Sequence, residues 1–217
     1  MPIDKNLILQ ALEEVRKKSE KRKFSQNVDL IVNLKDIDLK TPGNRINELI
    51  ELPHAPKPTV KITVFASGNM ALIAEKAGAD NILGREDIER LAKSKKDAKK
   101  LAKNTDFFLA DTSLMATVGK LLGAILGPRG KMPTPVPPNA SIDIIINKHR
   151  KSSRVRIREQ LNLQIGIGKE EMDNEVLADN IQATISLLER RLIKGSQNIR
   201  SIYIKTTMGP LTKINAL

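Results

Sequence analysis

Val60-Lys61-Ile62-Thr63-Val64-Phe65-Ala66-Ser67-Gly68-Asn69-Met70-Ala71-Leu72-Ile73-Ala74-Glu75-Lys76-Ala77-Gly78 decides the fold class. Val60 to Phe65 is short, apolar and β-branched, the mark of a strand covered on both faces, and Ala66 to Asn69 is a turn. Met70 to Ala77 carries a helical pattern that Gly78 closes. The same grammar repeats downstream: a strand at Asp80 to Leu83, helices over Arg85 to Ala92 and Lys95 to Lys103, a strand at Asp106 to Asp111 and a helix from Ser113 to Leu126. Alternating strands and helices imply parallel crossovers and a three-layer sandwich. After the turn-rich stretch Gly127 to Ser141, the run Ile142-Asp143-Ile144-Ile145-Ile146-Asn147 reads as its last strand. This Rossmann-like α/β/α module spans 62–153.

Working outward, the flanks follow a different pattern. Asp4 is a plausible N-cap for a helix reaching about Arg22, with Ile8, Ala11, Leu12 and Val15 at helical spacing and a basic end, Arg16 to Lys23. Val28 to Leu34 and Arg45 to Leu52 read as strands around the turn cluster Thr41-Pro42-Gly43-Asn44. Pro53-His54-Ala55-Pro56-Lys57-Pro58 is too proline-rich for a regular element and reads as a stiff connector. Beyond the module, Arg154 to Gln160 and Asn162 to Ile167 read as strands, Glu175 to Leu192 as an amphipathic helix and Ser201 to Thr207 as a final strand. Together the flanks, 1–61 and 154–217, would close into one discontinuous α+β domain, an antiparallel sheet with two helices, interrupted by the inserted module through two adjacent linkers that could hinge.

Composition narrows the partner. The 217 residues carry 37 Lys+Arg against 25 Asp+Glu, a net charge of +12, which favours a polyanion. The excess divides as +3 for 1–61, +6 for 62–153 and +3 for 154–217. Aromatics are only 2% of the chain, so RNA recognition would rest on backbone geometry and charge rather than on stacking. With no cysteine there is no disulfide, no thiolate nucleophile and no cysteine zinc site. No apolar stretch approaches the roughly 18 residues of a spanning helix and Met1-Pro2-Ile3-Asp4 opens no signal peptide, so the expectation is a cytoplasmic protein away from membranes.

Catalytic motifs fail on inspection. Gly127-Pro128-Arg129-Gly130-Lys131-Met132 has Gly-Lys in a glycine-rich turn, but a phosphate loop needs glycine where Ile125 stands and a hydroxyl where Met132 stands. Gly166-Ile167-Gly168-Lys169 lacks the third glycine of a dinucleotide fingerprint. His54 and His149 join no nucleophile or metal spacing, Asp106 and Asp111 fit turn or helix caps, and the lysines of 93–103 fit a solvated helix face. The expectation is a non-catalytic protein without cofactor or metal. Two other classes stay open: an enzyme holding a nucleotide on the inserted module, and a basic DNA-associated protein.

Gly119 to Pro135, with its Leu-Gly-Pro-Arg-Gly-Lys-Met-Pro string, and Thr206-Thr207-Met208-Gly209-Pro210 closely resemble the signature segments of the ribosomal protein L-one family, the mobile stalk protein of the large subunit. The compact chain resembles archaeal members. The resemblance implies a protein, monomeric when free, that binds large-subunit rRNA, helps release deacylated tRNA from the exit site, and represses its own operon by binding the messenger RNA. It also implies an RNA surface on the first domain: Lys23, Phe24 and Asn27 after the first helix, a loop from Gln164 to Lys169 that includes Gly168, and the turn Thr207-Met208-Gly209-Pro210. Lys23 and Lys169 would neutralise phosphates, while Gly209 would let the backbone approach a ribose and Pro210 would stiffen the turn. Arg129 and Lys131 stand as further RNA contacts from the second domain, or as parts of a rigid turn.

Overall fold

A computed structural model of the chain describes residues 4–39, 46–138, 140–157 and 160–214. It is a mixed α/β protein whose contacts divide it into two compact units: Met1–Lys57 with Lys151–Leu217, and Pro58–Arg150.

The first unit begins with α1 (Lys5–Lys18). Asp4 caps it by accepting the Asn6 N–H at 3.0 Å, and the last-turn cations Arg16, Lys17 and Lys18 suit the negative end of the helix dipole. The helix stops at Lys18, short of the expected Arg22, because Ser19 turns extended and its hydroxyl bonds elsewhere. Then come β1 (Asn27–Leu34) and β2 (Asn47–Glu51); the turn cluster at 41–44 lies outside the described residues.

After the second unit the chain returns as β7 (Ser152–Arg156), β8 (Asn162–Lys169), α7 (Asn174–Arg191), a 3-10 turn at Gly195–Asn198, β9 (Ile199–Thr206) and β10 (Thr212–Lys213). The expected single sheet is instead two: an antiparallel sheet ordered β10-β9-β1-β8, and a separate β2–β7 pair. Strand alternation explains the large sheet. Val28, Leu30, Val32 and Leu34 point into a core with Ile165, Ile167, Ile202 and Ile204, sealed by Ile8, Leu12 and Val15 of α1 and Leu177, Ile181, Ile185 and Leu188 of α7. The alternate residues, Ile31 opposite Gln164 and Tyr203 among them, form an open face. Buried Asn180 of α7 pins the proline-rich connector by accepting the His54 N–H (2.9 Å) and donating to the His54 and Ile167 carbonyls (3.0 and 2.9 Å).

The second unit holds β3 (Ile62–Phe65), α2 (Asn69–Lys76), β4 (Asn81–Leu83), α3 (Arg85–Lys93), α4 (Lys95–Asn104), β5 (Phe107–Asp111), α5 (Thr112–Leu126), β6 (Thr134–Val136) and α6 (Ile142–Arg150). Its sheet is parallel, in the order β4-β3-β5-β6. Phe65 and Phe108 stack at 5.7 Å in one core under α3, α4 and α5, and Ile62, Val64, Leu109 and Val136 enter a second core under α2 and α6. Ser94 and Asp111 cap α4 and α5.

The run expected to be the last strand is a helix. Ile142, Ile146 and His149 are buried at helical spacing, while Ile144, which a strand would place on the same face as Ile142 and Ile146, is 68% exposed. The sheet's edge is supplied by Thr134–Val136, inside the stretch expected to be turns; an edge strand accommodates Pro135, which has no N–H to give.

Candidate nucleic-acid interface

The sheet of the first unit ends where Asn27 pairs with Lys169 and Val28 pairs with Thr206. Four segments meet there: the end of α1, the connector 19–26, the turn after β8, and the β9–β10 turn that contains Thr207 to Pro210.

Gln26 joins them. It is buried, and its backbone exchanges bonds with Glu170, Gln26 N–H donating to Glu170 Oε1 (3.0 Å) and Glu170 N–H to the Gln26 carbonyl (3.0 Å). Its amide nitrogen donates to Ser19 Oγ (3.3 Å) and the Glu20 carbonyl (3.1 Å), and its Oε1 accepts the Met208 N–H (3.0 Å). One side chain thus fixes the connector, the helix end and the turn, with each of its polar atoms satisfied as burial demands.

The turn has further anchors. Thr207 N–H donates to the Asn27 carbonyl (3.0 Å), Asn27 N–H donates to Thr207 Oγ1 (3.0 Å), and the Gly209 N–H closes on the Thr206 carbonyl (3.2 Å). The hydroxyls of Ser19 and Thr206 bond at 2.8 Å. A β-carbon on Gly209 would overlap Thr206 Oγ1 and crowd Ser19 Oγ, so this glycine is required first by the protein's own packing. Lys169 Nζ donates to the Ser25 carbonyl (3.3 Å), and Arg16 donates to the Met172 carbonyl.

Around this frame, side chains project outward. Phe24 is 51% exposed, Met208 61% and Leu211 56%; Thr207 and Pro210 are also exposed, and Lys23 is exposed with no ion pair among the described residues. Leaving three large apolar groups half in water forgoes roughly 1 kcal/mol apiece, which a docked partner could recover.

The structure therefore gathers Lys23, Phe24, Asn27, Lys169 and Thr207 to Pro210 at one end of the sheet. It treats two other expected residues differently. Gln164 to Lys169 is strand β8, not a loop, because its apolar alternation pairs it with β1; Gln164 is exposed on the open face, about 17 Å of strand away from Lys169. Gly168 is buried, and a β-carbon there would overlap Leu177 Cδ2 and Met172 Sδ, so its role is close packing.

In the second unit, Arg129 Nη1 donates to the Lys99 carbonyl (3.2 Å), and Lys131 Nζ to the carbonyls of Ala102 (2.9 Å) and Thr105 (2.5 Å). Lys131 satisfies the C-terminal carbonyls of α4, which favours the rigid-turn reading for that residue. Sequence reasoning missed Gln26, Ser19 and Glu170, whose importance lies in long-range partners that no local pattern signals.

Half-buried Asp29 lies on the open face between Lys205 and Gly166. Desolvation raises its pKa above the ordinary 3.8, against the opposing pull of Lys205 and Lys169. Among the described residues no cluster of His, Asp and Glu could hold a metal ion, and no helix is long and apolar enough to cross a membrane.

The sequence model described as the Ribosomal protein L1p/L10e family matches residues 16–210, which include every residue gathered at the sheet end. The chain belongs to the ribosomal protein L1p/L10e family. It is similar to the large ribosomal subunit protein uL1 of Methanocella arvoryzae, 48% identical over 95% of this chain and 97% of that protein. The uL1 proteins of Methanothermobacter thermautotrophicus (42%, covering 95% of this chain and 98% of the relative) and Archaeoglobus fulgidus (41%, covering 99% and 100%) are also similar. These relatives of the L1p/L10e family are ribosomal proteins, not enzymes.

Proposed function

We propose that the chain is a component of the large ribosomal subunit that binds large-subunit rRNA through the sheet-end ledge of its first unit. The observation that carries this reading is a rigid turn, Thr207 to Pro210, held from beneath by Gln26, Asn27 and Ser19 while Phe24, Met208 and Lys23 face outward. A surface fixed before binding loses little entropy when its hydroxyls and backbone groups meet 2′-hydroxyls, and shape is the means by which a folded RNA is distinguished. Membership in the family, and relatives named as proteins of the large ribosomal subunit, support this choice of partner.

In the same reading the discontinuous flanks form the RNA-binding α+β domain and the middle of the chain a Rossmann-like inserted domain. The protein resides on cytoplasmic ribosomes, is monomeric when free, assists release of deacylated tRNA from the exit site, and represses its own operon by binding the messenger. The test is affinity for a junction-containing large-subunit rRNA fragment. Met208→Asp places a carboxylate against the RNA without touching the core, so a loss of tenfold or more is expected with the melting temperature preserved. Unchanged affinity removes the ledge from the interface.

A further inference from the structure

The net charge of the second unit is not spread over it. Residues 93–131 hold nine Lys and Arg against three Asp, while the rest of 58–150 balances six against six. All of the unit's +6 therefore lies in the layer that runs from the last residue of α3 through α4 and α5 to the turn after α5.

Within that layer α4 is the centre. Ala98 and Ala102 bury its inner side, and its exposed positions read Lys95, Lys96, Asp97, Lys99, Lys100, Lys103 and Asn104. None of these five lysines makes an ion pair among the described residues. Asp97 is occupied by Ser94, whose hydroxyl bonds its carboxylate at 2.7 Å, and Asp111 caps α5. Lys96, Lys99, Lys100 and Lys103 fall on one side of the helix over about 10 Å, and Lys95–Lys99, Lys96–Lys100 and Lys99–Lys103 are like-charged neighbours one turn apart. That self-repulsion weakens the free helix and is relieved by an anion. The bonds from Arg129 to Lys99 and from Lys131 to Ala102 and Thr105 fasten the 127–131 turn to this helix, and the exposed guanidinium of Arg129 extends the positive surface.

We propose that the α4 lysine face, continued by Arg129, is a second RNA site that grips the phosphate backbone without reading sequence, separate from the ledge of the first unit. The inference rests on the RNA-binding reading above. Protein interfaces centre on buried aromatic or aliphatic anchors, and the exposed positions of α4 provide none. Five flexible point charges are instead suited to phosphates, where released counterions supply the driving force.

The full-length protein with Lys96, Lys99, Lys100 and Lys103 all changed to Ala tests this, because alanine at exposed helix positions preserves the fold; circular dichroism confirms it, and the matching four-fold Lys→Arg protein restores charge. The probe is a plain RNA duplex of about 20 base pairs with no junction. The alanine protein is expected to lose roughly 3 from the slope of log affinity against log salt and tenfold or more in affinity at low salt; the arginine protein keeps both. A wild-type slope in the alanine protein overturns the proposal. So does equal competition by polyglutamate of matched charge, which would assign the face to an acidic polypeptide. Binding of the junction fragment by Met208→Asp reports on the ledge separately, so either surface can fail alone.

Discussion

Gln26 bears more of the ledge than any residue that would touch RNA. Its replacement by alanine leaves the Met208 N–H without its acceptor and Ser19 and the Glu20 carbonyl without their donor. We expect Gln26→Ala to cost about 2–4 kcal/mol by chemical denaturation and to lower rRNA affinity as the turn loosens. Gly209→Ala should cost about 1–3 kcal/mol, since the new methyl must displace the Thr206 and Ser19 hydroxyls. Asp29 makes a prediction of the opposite sign. Its folded pKa is raised, so the native state holds the proton more tightly than the unfolded chain, and its contribution to stability falls as pH rises from the ordinary value of 3.8 through the raised value. Asp29→Asn should therefore be more stable than wild type at neutral pH, with the difference shrinking below that window; denaturation midpoints at pH 7 and pH 3 check it.

At the scale of elements, α6 and β6 show what the sequence could convey. Ile144 and Ile145 lent Ile142 to Asn147 the composition of a strand, and a run of isoleucines does not distinguish a period of two from one of 3.6 when both leave apolar residues at 142 and 146. His149, buried one turn after Ile145 and bonded to its carbonyl at 2.7 Å, continues the helix, but a histidine adds little to a hydrophobic pattern. The helical register is testable. Ile146→Ala should cost about 2–4 kcal/mol and Ile144→Ala less than 1, whereas a strand would make the two alike. Elements with a clean pattern, the capped helix α1 and also β1, β3 and α7, were legible, and so was the Thr207 to Pro210 turn through its resemblance. The supports beneath that turn were not, because Gln26 meets Met208 only after the intervening chain has folded back.

Across the whole molecule, the sheet of the first unit is assembled from distant chain: β1 lies between β8 and β9, with Val28 facing both Gly168 and Thr206. Such pairings are slow to form. The second unit needs no partner outside 58–150 for its parallel sheet or its two cores. Joining Lys57 directly to Lys151 should leave a folded protein that retains affinity for the rRNA junction and loses the salt-steep binding to plain duplex; loss of junction affinity in a folded product would place essential contacts in the excised part. Excision is practicable because Glu51 pairs with Ser152 and the Leu52 N–H reaches the Lys151 carbonyl at 2.8 Å. Departure and return of the polypeptide are stitched together at that point, so residues 53–57 would become the tip of an ordinary hairpin. The entropic toll of the detour is slight, because loop closure grows only logarithmically with length. The β2–β7 stitch thus makes the middle of this chain a guest, which could lengthen, shorten or be exchanged while the host sheet keeps its register.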